Sequence, residues 1–460
     1  RHEIEMRIQV DDPSAQFVDV AVTINGDVLP PQRVATGEPQ TIPVTLKRRG
    51  DNLVVVQVAE IPEELTLANN LASAAVSGVQ DRLRVLLVTG EPHTGARVWR
   101  DLLKSDPAVD LVHFTILRPP EKTDNASTDE IALINFPRRQ LFRDKLEEFD
   151  LVIFDHELRA RVLEPQYLAR VSRYVERGGA LLVAAGPPYP GSEQLYNTPL
   201  VSVLPGYATG EVVEQKFAPE LTDLGRRHSV TATLDRGAPW GPWLRYMKVD
   251  AGNAETLIQA PDGAPLLLLD RVDEGRVAAV MSDQIWLWAR GYEGGGPYAE
   301  LIRRTAHWLM KEPELEEELL ELETSGSNTL SAELRTLTEQ PDPLSLVGPD
   351  GQEISAEWSL AGPGLFRTEV EDADLGLFRA ASSELRAVAV RGPAHPREYI
   401  DLRSTTDLLQ PVAAATLGGV FRIGAEGTPD LPDVRRVGDR GNAAGGNWLG
   451  LRRNGGYAVR

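Results

Sequence analysis

Residues 82–91 read RLRVLLVTGE, and this stretch decides the fold. It is a continuous apolar run that ends in small and polar residues. A strand alternates when one face meets water; a run without alternation marks a parallel strand covered on both faces by helices. Outward from it the pattern repeats. VDLVHFTIL (109–117), DLVIFDH (150–156) and ALLVAAG (180–186) are further strands of this kind. Helical patterns separate them. Thr94 to Lys104 places Val98, Trp99, Leu102 and Leu103 on one face, and RRQLFRDKLEEF (138–149) reads as helical. In PQYLARVSRYVERGG (165–179), Tyr167, Leu168, Val171, Tyr174 and Val175 form one stripe. Pro165 suits its first turn and Gly178-Gly179 its C-terminal cap. Residues 118–137 are polar and Pro-punctuated, hence a long loop. Repeated β-α-β at this spacing predicts a doubly wound parallel sheet of flavodoxin-like type.

Further along, APLLLLDRV (264–272) and GRVAAVMSDQIWLW (275–288) read as two more strands, joined by a turn at Asp273-Glu274-Gly275. A helix from Tyr298 to Lys311 closes the α/β unit, with His307 and Trp308 as packing residues. EPELEEELLELE (312–323), with seven Glu, reads as a solvated helical connector.

Both flanks read as β. VDVAVTINGDVLP (18–30) alternates, with Asn25-Gly26 as a hairpin turn. Two strands surround Arg49-Gly50-Asp51, and Asn69-Asn70 introduces another. A small immunoglobulin-like sandwich over 1–80 follows. Short strands recur from 321 to 403 with Gly and Pro punctuation, predicting a second small β-sandwich; 404–460 reads as an irregular, Gly- and Arg-rich tail. The α/β unit between them spans 81–320.

Composition narrows the function. The chain has 460 residues, about three domains' worth, with 42% hydrophobic and 25% charged residues. Asp+Glu (68) exceeds Lys+Arg (48), giving a net charge of −20. Phosphate neutralisation needs clustered basic residues, so nucleic acid is not an expected partner. There are no cysteines, which removes disulfides, thiolate metal sites and cysteine nucleophiles. No run of about 18 apolar residues is present. Both ends read as cut, and the expectation is a soluble piece of a longer protein.

Ligands of open parallel sheets gather at the carboxyl ends of the strands. The candidates there are Glu91 and His93 after the first strand and Asp155, His156 and Glu157 after the third. Ala185, Gly186 and Tyr189 follow the fourth, and Asp283 and Trp286 a later one. Imidazoles and carboxylates could hold zinc or manganese. Three adjacent residues cannot all point inward from an extended chain, however, and no HExxH spacing occurs. No metal or cofactor is expected, and helix capping is the plainer role. An acyl-transfer site needs a nucleophile on a strand-to-helix turn. The turn VAAGPPYPG (183–191) has Ala184, Ala185 and Gly186 there, and no Ser, Thr or Cys until Ser192. Gly294-Gly295-Gly296 lacks the Lys-Ser/Thr of a phosphate loop. Trp240, Trp243, Trp286 and Trp288 could stack on a sugar or simply fill the core. His228 reads as a structural residue at a strand start, or as a weaker catalytic candidate.

With these motifs in order, residues 82–320 resemble the class I glutamine amidotransferase-like superfamily. The carriers are RLRVLLVTGE, DLVIFDHE, YVERGGALLVAAGPPYPG, LYNTPLVSVLPG, RRHSVTATL and the block from GRVAAVMSDQ to LMKEPELEEE. The nearest resemblance is to amidotransferase-like proteins among bacterial membrane-associated proteins. It implies a flavodoxin-like domain beside immunoglobulin-like modules, a soluble portion in the periplasm, and a membrane anchor outside this sequence. It also implies a cysteine at the elbow with downstream His and Glu. Here the elbow falls at about Ala185, Asp155-His156-Glu157 replaces the Gly-Gly oxyanion segment, and Ser282-Asp283-Gln284 stands where His-x-Glu is expected. The expectation is a non-catalytic pseudoenzyme that binds a protein partner or glycan in the cell envelope. Two alternatives stay open: a cysteine-independent hydrolase using the carboxylate/histidine groups at the strand ends, and a sugar-binding module.

Overall fold

The computed structural model describes residues 2–12, 15–46, 50–60, 69–78, 82–90, 92–115, 137–156, 163–186, 189, 194–234, 239–325, 329–371, 373–391, 405–421, 431–438 and 441–452. The chain divides into two compact units. One holds residues 1–59 and 70–394, the other 60–69 and 395–460.

The first unit is built around an eight-stranded sheet. From edge to edge its strands are Glu220–Leu221, Glu255–Gln259, Pro265–Val272, Gly275–Val280, Ala180–Ala184, Leu151–Asp155, Leu83–Thr89 and Val109–Thr115. The last five are parallel, and in chain order they lie 2-1-3-4-5. The first three are antiparallel to their neighbours. The sheet is therefore mixed: the strands of the β-α-β repeat run parallel, and the hairpin after Val272 adds antiparallel strands at one side. The tight turn at Asp273, whose φ is 49°, reverses the chain within one hairpin and forces the antiparallel pairing.

Apart from the edge strand Val109–Thr115, which is mostly half-buried, the apolar runs are buried on both faces, as their lack of alternation requires. Leu83, Val85 and Leu87 face one apolar core with Trp99, Leu103, Ile302 and Trp308. Leu86 and Val88 face the other with Leu168, Val171 and Val175. Helices Thr94–Ser105 and Tyr298–Leu309 cover the first face, and helix Pro165–Glu176 the second. Residues 138–149 make short helical turns rather than one helix, over Gln140–Asp144 and Leu146–Glu148. Residues 118–136 of the expected loop lie outside the described residues.

The acidic stretch 312–323 is no helical connector. Leu319–Ser325 is a strand paired with Thr329–Arg335. Period two decides it locally: Leu320 and Leu322 are buried, while Glu321 and Glu323 point the other way. The same strand opens a pair of four-stranded sheets with a common core, including Leu330, Leu346, Phe366 and Phe378.

The N-terminal strands also pack as two sheets, around Val20, Val22, Val44 and Val54. Asn25 (φ 50°) and Gly26 (φ 96°) make the hairpin turn with two positive φ values in succession. This β-module and the one after 319 are distant in sequence but in contact. Val55, Leu377 and Val388 share one apolar cluster, and Arg379 donates to Gln57 Oε1 at 2.8 Å.

In the second unit, helix Gln410–Ala415 accompanies strands Asp433–Val437, Ala444–Gly445 and Trp448–Arg452, which form one sheet.

Candidate functional site

Side chains converge where the parallel strands end. Asp155 closes its strand in register with Thr89 and is buried. Thr89 Oγ1 donates to Asp155 Oδ2 at 3.3 Å. His93 is the N-cap of helix Thr94–Ser105: its Nδ1 accepts from Gly95 N at 3.2 Å. An imidazole nitrogen that accepts carries no proton, so the proton is on Nε2. His93 Nε2 donates to Asp155 Oδ2 at 2.7 Å. Both nitrogens of His93 are thus engaged.

His113, on the edge strand, extends the network. Its Nε2 lies 3.2 Å from both Thr89 Oγ1 and Thr115 Oγ1. Thr89 gives its one proton to Asp155, so His113 is the donor to Thr89. Burial pulls the His113 imidazole below its usual range, helped by the charge of Arg100 and opposed by Asp155.

His156 follows directly and sits at φ 61°, a left-handed conformation uncommon for a non-glycine residue. Its ring stacks on His93 with centroids 4.1 Å apart and planes 16° apart. Gly186 packs against it. A Cβ there would come within 2.9 Å of His156 Cα, so only glycine fits this approach. On the far side, His156 Nε2 stands 3.8 Å from Asp283 Oδ2. Arg245 holds Asp283 with two bonds, Nε to Oδ1 at 3.1 Å and Nη2 to Oδ2. Burial alone would push the Asp283 carboxyl up. The donors of His156 and Arg245, with the guanidinium charge, outweigh it and hold the group well below the usual carboxylate range.

His93, Asp155, His156 and Asp283 are therefore brought together. Trp286 is half-buried beside them, its Cδ1 3.1 Å from where a Gly95 Cβ would stand. Tyr189 is fully buried and donates to Lys248 O. It shares an apolar cluster with Ala185, Met247, Leu268 and Met281. Glu91, Glu157 and Ser192 lie outside the described residues. Trp243 and Trp288 are core residues at 4.9 Å from each other, and Trp288 Nε1 donates to Gly241 O at 2.6 Å. Sequence reasoning missed Thr89, His113 and Arg245. Two faint signals existed: a threonine ending an apolar strand, and an arginine between tryptophan and tyrosine in WGPWLRY.

His228 is elsewhere, and it caps helix Asp223–Arg227 rather than opening a strand. Thr222 Oγ1 accepts from Gly225 N at 2.9 Å and starts that helix, which sets the local structure. His228 Nε2 lies 3.7 Å from Glu255 Oε2 and 3.3 Å from Glu317 Oε1, a set with metal-ligand spacing. The donor set argues against a metal. His228 Nδ1 accepts from Val230 N at 3.1 Å, which leaves the proton on the nitrogen that would have to bind the ion. A ligating histidine donates from its second nitrogen; this one accepts. Glu317 is also paired with Arg271 and accepts from Trp308 Nε1 at 2.7 Å.

No family model matches this chain, and no curated protein matches it. Among solved structures, it is similar to a cytoplasmic protein from Salmonella typhimurium, with 19% identity over 49% of this chain and 99% of that one, at TM-score 0.37. It is also similar to a protein described as ThuA-like from Parabacteroides merdae, with 14% identity over 50% and 91%, at TM-score 0.30. A third is described as a GMP synthase component from Thermoplasma acidophilum, with 9% identity over 50% and 96%, at TM-score 0.29.

Proposed function

We propose that this chain is a glutamine amidotransferase-like protein that has lost amidotransferase chemistry and acts by binding. Its partner is a protein or glycan of the bacterial envelope. The soluble part is periplasmic, and a membrane anchor lies outside this sequence. The 2-1-3-4-5 order of the parallel strands supports the flavodoxin-like assignment of the α/β domain. The paired β-sheets on either side support the immunoglobulin-like assignment of its neighbours.

One observation carries the loss of chemistry. Ala185 stands where the resemblance puts the attacking cysteine, and its side chain is buried among Tyr189, Met247, Leu268 and Met281. A methyl group cannot attack a carbonyl, and this one faces apolar neighbours rather than a base. The polar groups nearby are largely spent on one another. Asp155 accepts from His93 and Thr89, Asp283 from Arg245, and His93 uses both nitrogens. The burial of Trp243 and Trp288 weighs against a sugar platform built from the tryptophans.

The test is ammonia release from glutamine by the purified chain, followed with a coupled glutamate dehydrogenase assay. The expected rate equals the buffer blank. Catalytic turnover that disappears in Asp155→Asn would overturn the proposal.

A further inference from the structure

Two buried polar atoms near the strand ends have no hydrogen-bond partner among the described residues, His156 Nδ1 and Tyr298 Oη. Their residues are 9% and 3% exposed. Native proteins leave few such atoms unsatisfied, so each asks for an explanation.

The tautomer of His156 is inferred from its other side. Asp283 faces Nε2, and two bonds from Arg245 fix Asp283 in turn. A carboxylate at one imidazole nitrogen keeps the proton there and leaves a lone pair on the other. Nδ1 is therefore an acceptor with no donor among the described residues. Neither His93 nor His228 has this property, because a backbone N–H occupies Nδ1 in each. The left-handed backbone at His156 is a second mark. A strained residue persists only where its surroundings over-determine it, and such residues cluster at ligand sites.

We infer that His156 Nδ1 is the recognition atom of a ligand site at the carboxyl ends of the strands, and that the ligand presents an uncharged hydroxyl to it. The inference rests on the binding reading above. A cation would have to shed its water to reach an atom this buried. An anion would meet the carboxylates of Asp155 and Asp283. A primary amide brings two N–H donors where one acceptor is spare, whereas a hydroxyl brings one. The hydroxyl oxygen can also accept, and Tyr298 is the second unsatisfied group of this neighbourhood. Burial, together with the charge of Asp155, raises its phenol well above the usual range and keeps it a donor.

The experiment uses the whole chain labelled with 15N-histidine and long-range proton–nitrogen spectra, with the His156 signals assigned by their loss in His156→Gln. The probes are methyl β-D-glucoside and glycerol, which separate a sugar from a simple polyol as the hydroxyl source, and acetamide as the amide control. The expected result is His156 with its proton on Nε2 and a bare Nδ1. The Nδ1 signal shifts upfield on titration with at least one hydroxyl probe, while His93 and His228 do not move. A proton on Nδ1 overturns the inference. So does a shift with acetamide alone, or no shift with any probe, which would leave an ordered water as the only occupant. Asp283→Asn, if folded, is expected to abolish the response; if it does not fold, the wild-type tautomer still decides. Glutamine turnover would sink the binding reading without changing the tautomer, so the two failures are distinguishable.

Discussion

His93 Nε2 donates to Asp155 Oδ2 over 2.7 Å, and the bond ties the first turn of one helix to the end of the neighbouring strand. The same oxygen accepts from Thr89, which is fully buried. Removing the carboxylate leaves two donors without an acceptor. Asp155→Ala is expected to cost about 2–6 kcal/mol in urea unfolding, at about 1–3 kcal/mol for each stranded group. Asp155→Asn keeps an acceptor oxygen and should cost about half as much. Equal losses in the two variants would show that the hydrogen bonds are not what Asp155 contributes.

Much of this was legible in the sequence, and the limit has a physical form. RLRVLLVTGE and DLVIFDH announce buried strands because an apolar run without alternation has no other stable place. Asp155 and His93 follow from being the polar residues that end or succeed such runs. Arg245 did not follow, because an arginine near a loop reads as solvated until its partner is known. Asp283, its partner, is 38 residues away in the chain. The acidic stretch misled for a related reason. Seven glutamates suggest a solvated helix, yet Glu316 and Glu317 are matched by Arg276 and Arg271 from the central sheet. Charge pairing across elements leaves no local trace.

Placing sulfur at the bend is expected not to create an enzyme. Ala185→Cys places a thiol among Tyr189, Met247 and Met281, where apolar surroundings keep it protonated. The variant is expected to release no ammonia from glutamine and to react slowly with iodoacetamide in the folded state. Rapid alkylation together with glutamine turnover would mean that the bend is open to solvent and served by a base.

Arg245 and Asp283 are a largely buried ion pair, with side chains 28% and 6% exposed. Breaking such a pair from one side costs about 3–5 kcal/mol, because a buried charge is left alone. Arg245→Met is expected to lose this much. The double variant Arg245→Met/Asp283→Asn should recover most of it, since neither charge remains. A denaturant-derived double-mutant cycle checks this. A double variant as unstable as the sum of the singles would show that the two residues act separately.

His228, Glu255 and Glu317 have the spacing of a metal site but the wrong proton placement. Zinc or manganese added to the chelator-treated chain is expected to leave the thermal midpoint unchanged. Calorimetry is expected to show no saturable binding that depends on His228. A stoichiometric isotherm lost in His228→Asn would mean that the ring can turn its proton toward Val230 and give up the backbone bond.

The same cluster makes stability depend on pH, with two glutamates acting in opposite directions. Burial alone would raise the Glu317 carboxyl, but the N–H of His228 and the charge of Arg271 outweigh it and bring it to about 2. Its folded value lies below its unfolded one. The stabilisation is therefore present above about pH 4.5 and is lost as the pH falls toward 2, on the order of 3 kcal/mol in all. Glu255 is shifted upward, by burial first and by the charge of Glu317 after it, against the pull of His228. Its ionised form is disfavoured in the folded state, so it destabilises at neutral pH and that penalty is relieved as it protonates. Glu317→Gln should flatten the acid limb of the stability curve and lower the plateau. Glu255→Gln should raise stability at neutral pH and leave the acid limb in place. Urea midpoints across the range from about pH 3 to 7 separate the two. An acid limb unchanged in Glu317→Gln would assign acid sensitivity to Asp283 and the strand-end network instead.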